Sequence, residues 1–254
     1  MKKAFSLVEL SIVLVILGLL TGGILGGQSL IRAAELRSVS TDYARYATAI
    51  YSFRDKYFAI PGDMSNATAF WGKDAASCNG DIGTAMVPGA CNGNGDGIVY
   101  TNVVAGAPTE QLQAWKHLAL AGLIEGSFTG LEAPGTGGPT PGVNVPRGRI
   151  SSTNYTLLYE NYVPGDAFNT AMNYGNRLDF GGASSFHSGT PALRPEEAWN
   201  IDTKMDDGRP GQGRLMAVYW DDCSTAANFN DLNGEYALSV SGVVCSLRFK
   251  NVTQ

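Results

Sequence analysis

Residues 10–31 pass without a charged side chain, and the first half of the run, Leu10-Ser-Ile-Val-Leu-Val-Ile-Leu-Gly-Leu-Leu20, is almost wholly aliphatic. At about 1.5 Å per residue a helix of this length reaches about 33 Å, enough to cross a hydrocarbon core of about 30 Å. Lys2 and Lys3 precede the run. Positive flanks stay cytoplasmic, so the N-terminus is expected inside and everything after Arg32 outside. Charge divides the chain in a similar way. Residues 1–57 hold seven Lys and Arg against four acids, a balance of +3, so the net −5 of the chain leaves −8 on residues 58–254. An acidic body is not built to hold phosphate backbones, and nucleic acid is not an expected partner.

Three readings compete for the apolar segment. A cleaved secretory signal would end in small residues at −3 and −1, which Leu25-Gly26-Gly27 matches poorly. A plain anchor has no use for Glu9, since a carboxylate near the head of an apolar helix costs about 2.5–3.5 kcal/mol on insertion scales unless it reaches the headgroups. The third reading gives Glu9 a task. Met1-Lys-Lys-Ala4, then Phe5-Ser6-Leu7-Val8-Glu9, then the unbroken aliphatic run, resembles the class III leader of type IV pilins and type II secretion pseudopilins. The resemblance implies that prepilin peptidase cuts between Ala4 and Phe5 and methylates the new Phe5 amine. Ala4 stands where the family usually has Gly, which is also small. Residues 1–4 are then a leader peptide and 5–31 the transmembrane and assembly half of a long helix. The implied partners are other pilin or pseudopilin subunits, the peptidase, an inner-membrane assembly platform, and membrane lipid before assembly. The implied itinerary runs from an inner-membrane precursor, N-terminus cytoplasmic, to a periplasmic or extracellular filament.

Cleavage before Phe5 creates an α-amine, cationic below a pKa of about 8. In a low-dielectric bundle of parallel helices, the Glu9 carboxylate of one subunit and this amine on its neighbour attract strongly, while either alone is costly to bury. The pair can set axial register. Beyond the membrane, Leu36, Val39, Tyr43, Tyr46, Ile50, Phe53 and Tyr57 recur at spacings of 3 and 4, with Arg37, Asp42, Arg45 and Arg54 expected off this stripe. One helix from Phe5 to Tyr57 is expected, residues 32–57 being its amphipathic half, ending before Pro61-Gly62. Four aromatics in the stripe suit packing on a sheet better than a coiled-coil seam. Gly18, Gly22, Gly23, Gly26 and Gly27 interrupt the apolar half. They fit either close helix contact or the local unwinding that the family analogy implies in some assembled pili.

With 44% apolar and 16% charged residues the chain is too apolar for disorder, and 32 Gly with 11 Pro argue against a mostly helical body. Residues 58–254 are read as one exported α+β body, an antiparallel sheet laid over the long helix in a pilin-like layout. Tyr57-Phe-Ala-Ile-Pro-Gly-Asp-Met64 resembles the segment after the long helix in large pilin-like proteins. Cys78, Cys91, Cys223 and Cys245 favour two disulfides in an exported domain, and the sequential pairing is the most economical of three connectivities. The 223–245 bracket also resembles the C-terminal disulfide loop of many type IV pilins. Helices are expected at 109–124 and 195–205, and strands at 155–162, 214–220, 236–240 and 243–250. Residues 130–148, with six Gly and four Pro, read as an irregular surface loop insertion.

Asn92, Asn94 and Asp96, followed by Gly97 and Val99, match the first half of an EF-hand-type calcium loop, with Asp81 or Glu110 as the further acid it would need. The second half of that pattern is missing, and an Asn/Gly/Asp turn without an ion has the same composition. Asp206 and Asp207 form a second acidic turn. No cofactor is required by any motif. The two histidines, His117 and His187, have no nucleophile elbow or metal spacing near them, so no enzyme activity is expected. Two function classes remain. One is a structural subunit of a type IV pilus or a type II secretion pseudopilus. The other is a membrane-anchored or filament-tip binding module at low copy number. By family analogy the length favours a minor or specialised subunit, and Glu9 argues against the pseudopilin that initiates the tip.

Overall fold

The computed structural model describes residues 7–73, 78, 89–100, 109–132, 138–160, 173–185, 187–217, 222–228 and 231–253. Helix α1 (Leu7–Tyr57) is continuous for 51 residues, about 77 Å of rise. It stops where the sequence indicates. Phe58 takes a left-handed φ of 52° and donates its N–H to Arg54 O at 2.8 Å, and Pro61 follows. On its second half Val39, Tyr46, Ile50 and Phe53 are buried, and Leu36, Tyr43 and Tyr57 pack partly buried against the same core. Asp42 corrects the expectation that it lies off the stripe. Being three residues after Val39 and four before Tyr46, it shares their face. It is buried, which pushes its carboxyl up, and Arg45 at 3.4 Å partly counters that.

Four strands form one antiparallel sheet in the order β1 (Thr153–Glu160), β2 (Gly175–Gly182), β4 (Leu247–Phe249), β3 (Leu215–Ala217). The register sets Tyr155 opposite Phe180, Leu157 opposite Leu178, and Phe249 between Leu178 and Leu215. That apolar face receives α1. Tyr46 meets Tyr155 edge-on at 5.1 Å, and Tyr43 stacks on Phe249 at 4.2 Å. The opposite face is polar yet buried. Arg177 is bound to Asp179 by bonds of 2.8 and 3.1 Å and also pairs with Glu160. Ser188 N donates to Thr156 Oγ1 at 2.9 Å, and its hydroxyl donates to Asn154, so the segment around Ser188 closes over this layer.

Helix α3 (Glu110–Leu120) wedges against α1 and β1, with Trp115 fully buried and edge-on to Tyr46 at 5.0 Å. Thr109 caps it by accepting from Leu112 N. It ends short of the expected residue 124 because Gly122 turns the chain at φ 72°. Helix α2 (Ala67–Trp71) was not foreseen, whereas α4 (Pro195–Met205) has the expected bounds. Its Glu197 accepts from Arg194 N at 2.9 Å, a first-turn cap of the kind Pro-Glu-Glu suggests. The disulfides are Cys78–Cys91 and Cys223–Cys245, the sequential pairing.

Other expectations need correction. β2 was missed, because Asn176 shares the face of Leu178 and Phe180, leaving two apolar residues to mark the alternation, and glycines bound the strand on both sides. The proposed strand at 236–240 is instead one bridge, Tyr236 to Ser224, followed by a turn at Leu238 and Ser239. Strand 243–250 shrinks to β4, because Cys245 bridges Leu193 instead. Strands 155–162 and 214–220 are realised as β1 and β3, and residues 161–162 and 218–220 lie outside the described residues. Within 130–148 the described residues, 130–132 and 138–148, are irregular but not merely superficial. Asn144 and Val145 are fully buried, Asn144 Nδ2 donating to Leu131 O at 2.9 Å.

Both histidines are buried. His117 Nδ1 accepts from Gly62 N at 3.0 Å and its Nε2 faces Cys91 O at 3.0 Å, which fixes a neutral imidazole with the proton on Nε2. Burial pulls His117 and His187 down to about 4. A base whose folded pKa is depressed leaves the proton uptake to the unfolded chain, so stability is full above about pH 6.5 and falls as pH drops toward 4. In an NMR titration both imidazoles should stay neutral at pH 5.5 and titrate near 4. A midpoint near 6.5 for His117 would contradict this burial.

Candidate functional site

Along the half of α1 that precedes the body, residues 7–31, every residue but Gly27 is exposed. Leu7, Leu19 and Leu30 are 85%, 73% and 72% exposed, and a mean hydropathy of 2.4 over its most apolar window makes the helix long and apolar enough to cross a membrane. Three side-chain hydroxyls lie in the run, and each is satisfied within the helix: Ser11 on Val8 O, Thr21 on Leu17 O and Ser29 on Gly26 O, all at 2.9 Å. Hydroxyls bonded this way suit an environment without water. Helix geometry continues through Gly18, Gly22, Gly23, Gly26 and Gly27, and a Cβ at any of them would meet open space. No packing within the chain requires glycine there. Glu9 sits in the first turn of the described helix, where the dipole favours an acid. Ala4 and Phe5 lie outside the described residues.

At the opposite end of α1 the Asn92–Gly97 stretch folds around an acid that the sequence reading passed over. Asp63 accepts from Gly95 N at 2.6 Å, Asp96 N at 3.1 Å and Gly97 N at 2.8 Å. Burial pushes the Asp63 carboxyl up, opposed by the amides of Gly97 and Gly95. Glu110 accepts from Asn94 N at 3.0 Å and Tyr100 N at 2.9 Å. Asn92 Oδ1 takes Thr68 N, Asn94 Oδ1 takes Asp96 N, and Asp96 accepts from Ile98 N and from Asn94 Nδ2. The donor set suits calcium in kind, since it is all oxygen. Without an ion these oxygens accept from the amides named above. Asp81 lies outside the described residues. The sequence signal that could have revealed Asp63 was Pro-Gly-Asp immediately after the long helix, an acid placed where the chain must reverse.

A second acidic group does converge. Among the described residues Asp202, Asp206 and Asp207 are the one acidic trio whose oxygens lie within 4.8 Å of each other. All three are engaged. Asp202 accepts from Tyr236 OH at 2.8 Å and Gly208 N at 3.2 Å, Asp206 from Arg214 N and Leu215 N, and Asp207 from Arg209 N. Burial lifts Asp202 to about 7. Around His187, the Ser184 hydroxyl donates to the His187 carbonyl at 2.9 Å and lies 3.4 Å from His187 Nδ1, while Asp179 is held by Arg177.

Two substitutions check this account. Asp63→Ala removes a charged acceptor from three amides and should destabilise the full chain in detergent by about 2–4 kcal/mol, with Asp96→Ala closer to about 1 kcal/mol, read by chemical denaturation. Calcium calorimetry on the same proteins reports whether any cation draws these oxygens inward. For Asp202, a folded pKa raised above the unfolded value means stability that is full below about pH 4 and lost as pH rises through about 7. Asp202→Asn should therefore flatten that limb and raise the melting temperature at pH 8 by about 2–4 °C, the shift that about 1 kcal/mol makes in a chain of this size.

The long apolar N-terminal helix with its antiparallel sheet is compatible with a pilin-like layout. The chain itself matches no protein-family model, no curated protein and no solved structure.

Proposed function

We propose that this chain is a structural subunit of a type IV pilus or type II secretion pseudopilus, matured between Ala4 and Phe5 and polymerised through its N-terminal helix. The observation that carries this reading is the bare half of α1. It is apolar, exposed on every side, internally satisfied in its hydroxyls, and marked by glycines that serve no contact inside the chain. Such a surface needs either lipid or parallel copies of itself, and glycine lets helices approach closely. Glu9, near the start of this helix, is then the acid that pairs with a neighbour's Phe5 amine. Two disulfides fit a body held outside the reducing cytoplasm.

The alternative, a tip or envelope binding module at low copy number, draws support from the far end of α1. Phe58 is 93% and Phe70 55% exposed there, beside Tyr57 and Trp71. Immunogold labelling along whole filaments favours the subunit, and labelling confined to ends or the envelope favours the binder.

Mass spectrometry of the native protein should find Phe5 as the first residue, carrying one added methyl group. Glu9→Leu should insert in the membrane normally while its recovery in sheared filaments falls by at least about tenfold, the factor that about 1.4 kcal/mol of lost pairing produces. Normal incorporation of Glu9→Leu removes the proposed ion pair.

A further inference from the structure

Helix α4 runs alongside α1 in the same direction. Its Glu197 meets Arg32, Ile201 faces Leu36, and Met205 reaches the level of Tyr43. Arg32 is the first charge after the apolar run, and its guanidinium makes two bonds of 2.6 Å to the Glu197 carboxylate. Burial raises the Glu197 carboxyl, but Arg32 and the Arg194 amide outweigh it and hold the group net below the ordinary range. The start of α4 is thereby fixed at the point where α1 leaves its apolar stretch.

Directly beyond this clamp the two helices enclose a groove of about 530 Å³. Leu36 and Ile201 line it with Arg37 and Lys204, and no carboxylate does. Both cations are exposed, and neither has an ion pair among the described residues. Arg37 stands five residues past Arg32, about 7.5 Å along the axis, which is headgroup depth if the apolar run fills the hydrocarbon. Trp199, on the outer side of α4, is 38% exposed at a similar level, and tryptophan favours membrane interfaces.

We propose that the α1–α4 groove holds the phosphate headgroup of an anionic phospholipid, from the leaflet facing the body, while the subunit waits in the membrane. Arg37 and Lys204 face the phosphate, and Leu36 and Ile201 lie against the glycerol and first methylenes. The inference rests on the membrane reading above. A second copy is the poorer occupant. Standing parallel at the same depth it presents the same cations, which repel, whereas lipid phosphates surround the helix at this level.

The test uses the full chain in nanodiscs containing equal amounts of phosphatidylglycerol and phosphatidylcholine, released into native mass spectrometry. Wild type should retain phosphatidylglycerol over phosphatidylcholine by about thirtyfold, as two cations at an anionic surface give. Arg37→Gln with Lys204→Gln should bring the ratio to about one, the swap Arg37→Lys with Lys204→Arg should restore it, and Lys56→Gln, on the same helix but far from the groove, should leave it unchanged. Equal retention by wild type, or an unchanged preference in the double Gln variant, overturns the proposal. So does full competition by inorganic phosphate, which would mark a soluble-anion site. Vesicle flotation reads the anchor separately. A chain that fails to float sinks the membrane reading, whereas one that floats without lipid preference sinks only the groove.

Discussion

The body depends on the seating of the second half of α1 in an aromatic socket. Tyr46 is the centre of it, edge-on to Trp115 from α3 and to Tyr155 from β1 at 5.0 and 5.1 Å, while Tyr43 stacks on Phe249 of β4. Edge-to-face and offset pairs of this kind add about 0.5–1.5 kcal/mol each beyond the area they bury. Because α3, β1 and β4 all meet the same helical stripe, α1 orders elements that are far apart in sequence. Among the described residues two strands of the sheet exceed three residues, and their apolar face is buried chiefly by this helix, with α3 against β1.

Polar ties then fix what apolar packing leaves loose. Asp63 gathers three amides of the 95–97 turn, and His117 joins Gly62 to the carbonyl of Cys91. The strap after α1, the disulfide-bonded strand of loop and helix α3 thus share one knot. Gly62 and Gly93 allow it. At either position a Cβ would run into backbone, of Glu110 at one and Asp63 at the other. On the opposite side of the molecule Glu197 serves twice, closing the first turn of α4 and binding Arg32.

Much of this was legible in the sequence, because the relevant signals are local. The 3–4 spacing from Leu36 to Tyr57 marks the buried face, Pro-Glu-Glu marks the start of α4, and the order of the cysteines marks their partners. What was hidden depends on distant residues. β2 carries an arginine and an aspartate that would be solvent-facing in an ordinary two-faced sheet, and only the overlying Ser188 segment makes them interior. Asp63 is separated from the amides it binds by some thirty residues, so no window of sequence contains the interaction. Asp42 was misplaced because a charged residue was assumed to leave the stripe, although its position in the 3–4 repeat is a buried one. The strand at 236–240 failed because Tyr236 is drawn to Asp202 and the chain turns two residues later.

The unclothed half of α1 has a consequence for the life history of the molecule. Some two dozen consecutive residues with apolar sides in every direction have no aqueous resting state, since shielding one side leaves the others wet. For the filament subunit proposed above, this means passage from one oily host to the next without an interval as a dissolved monomer, with any apparatus that moves it acting at the boundary between those hosts.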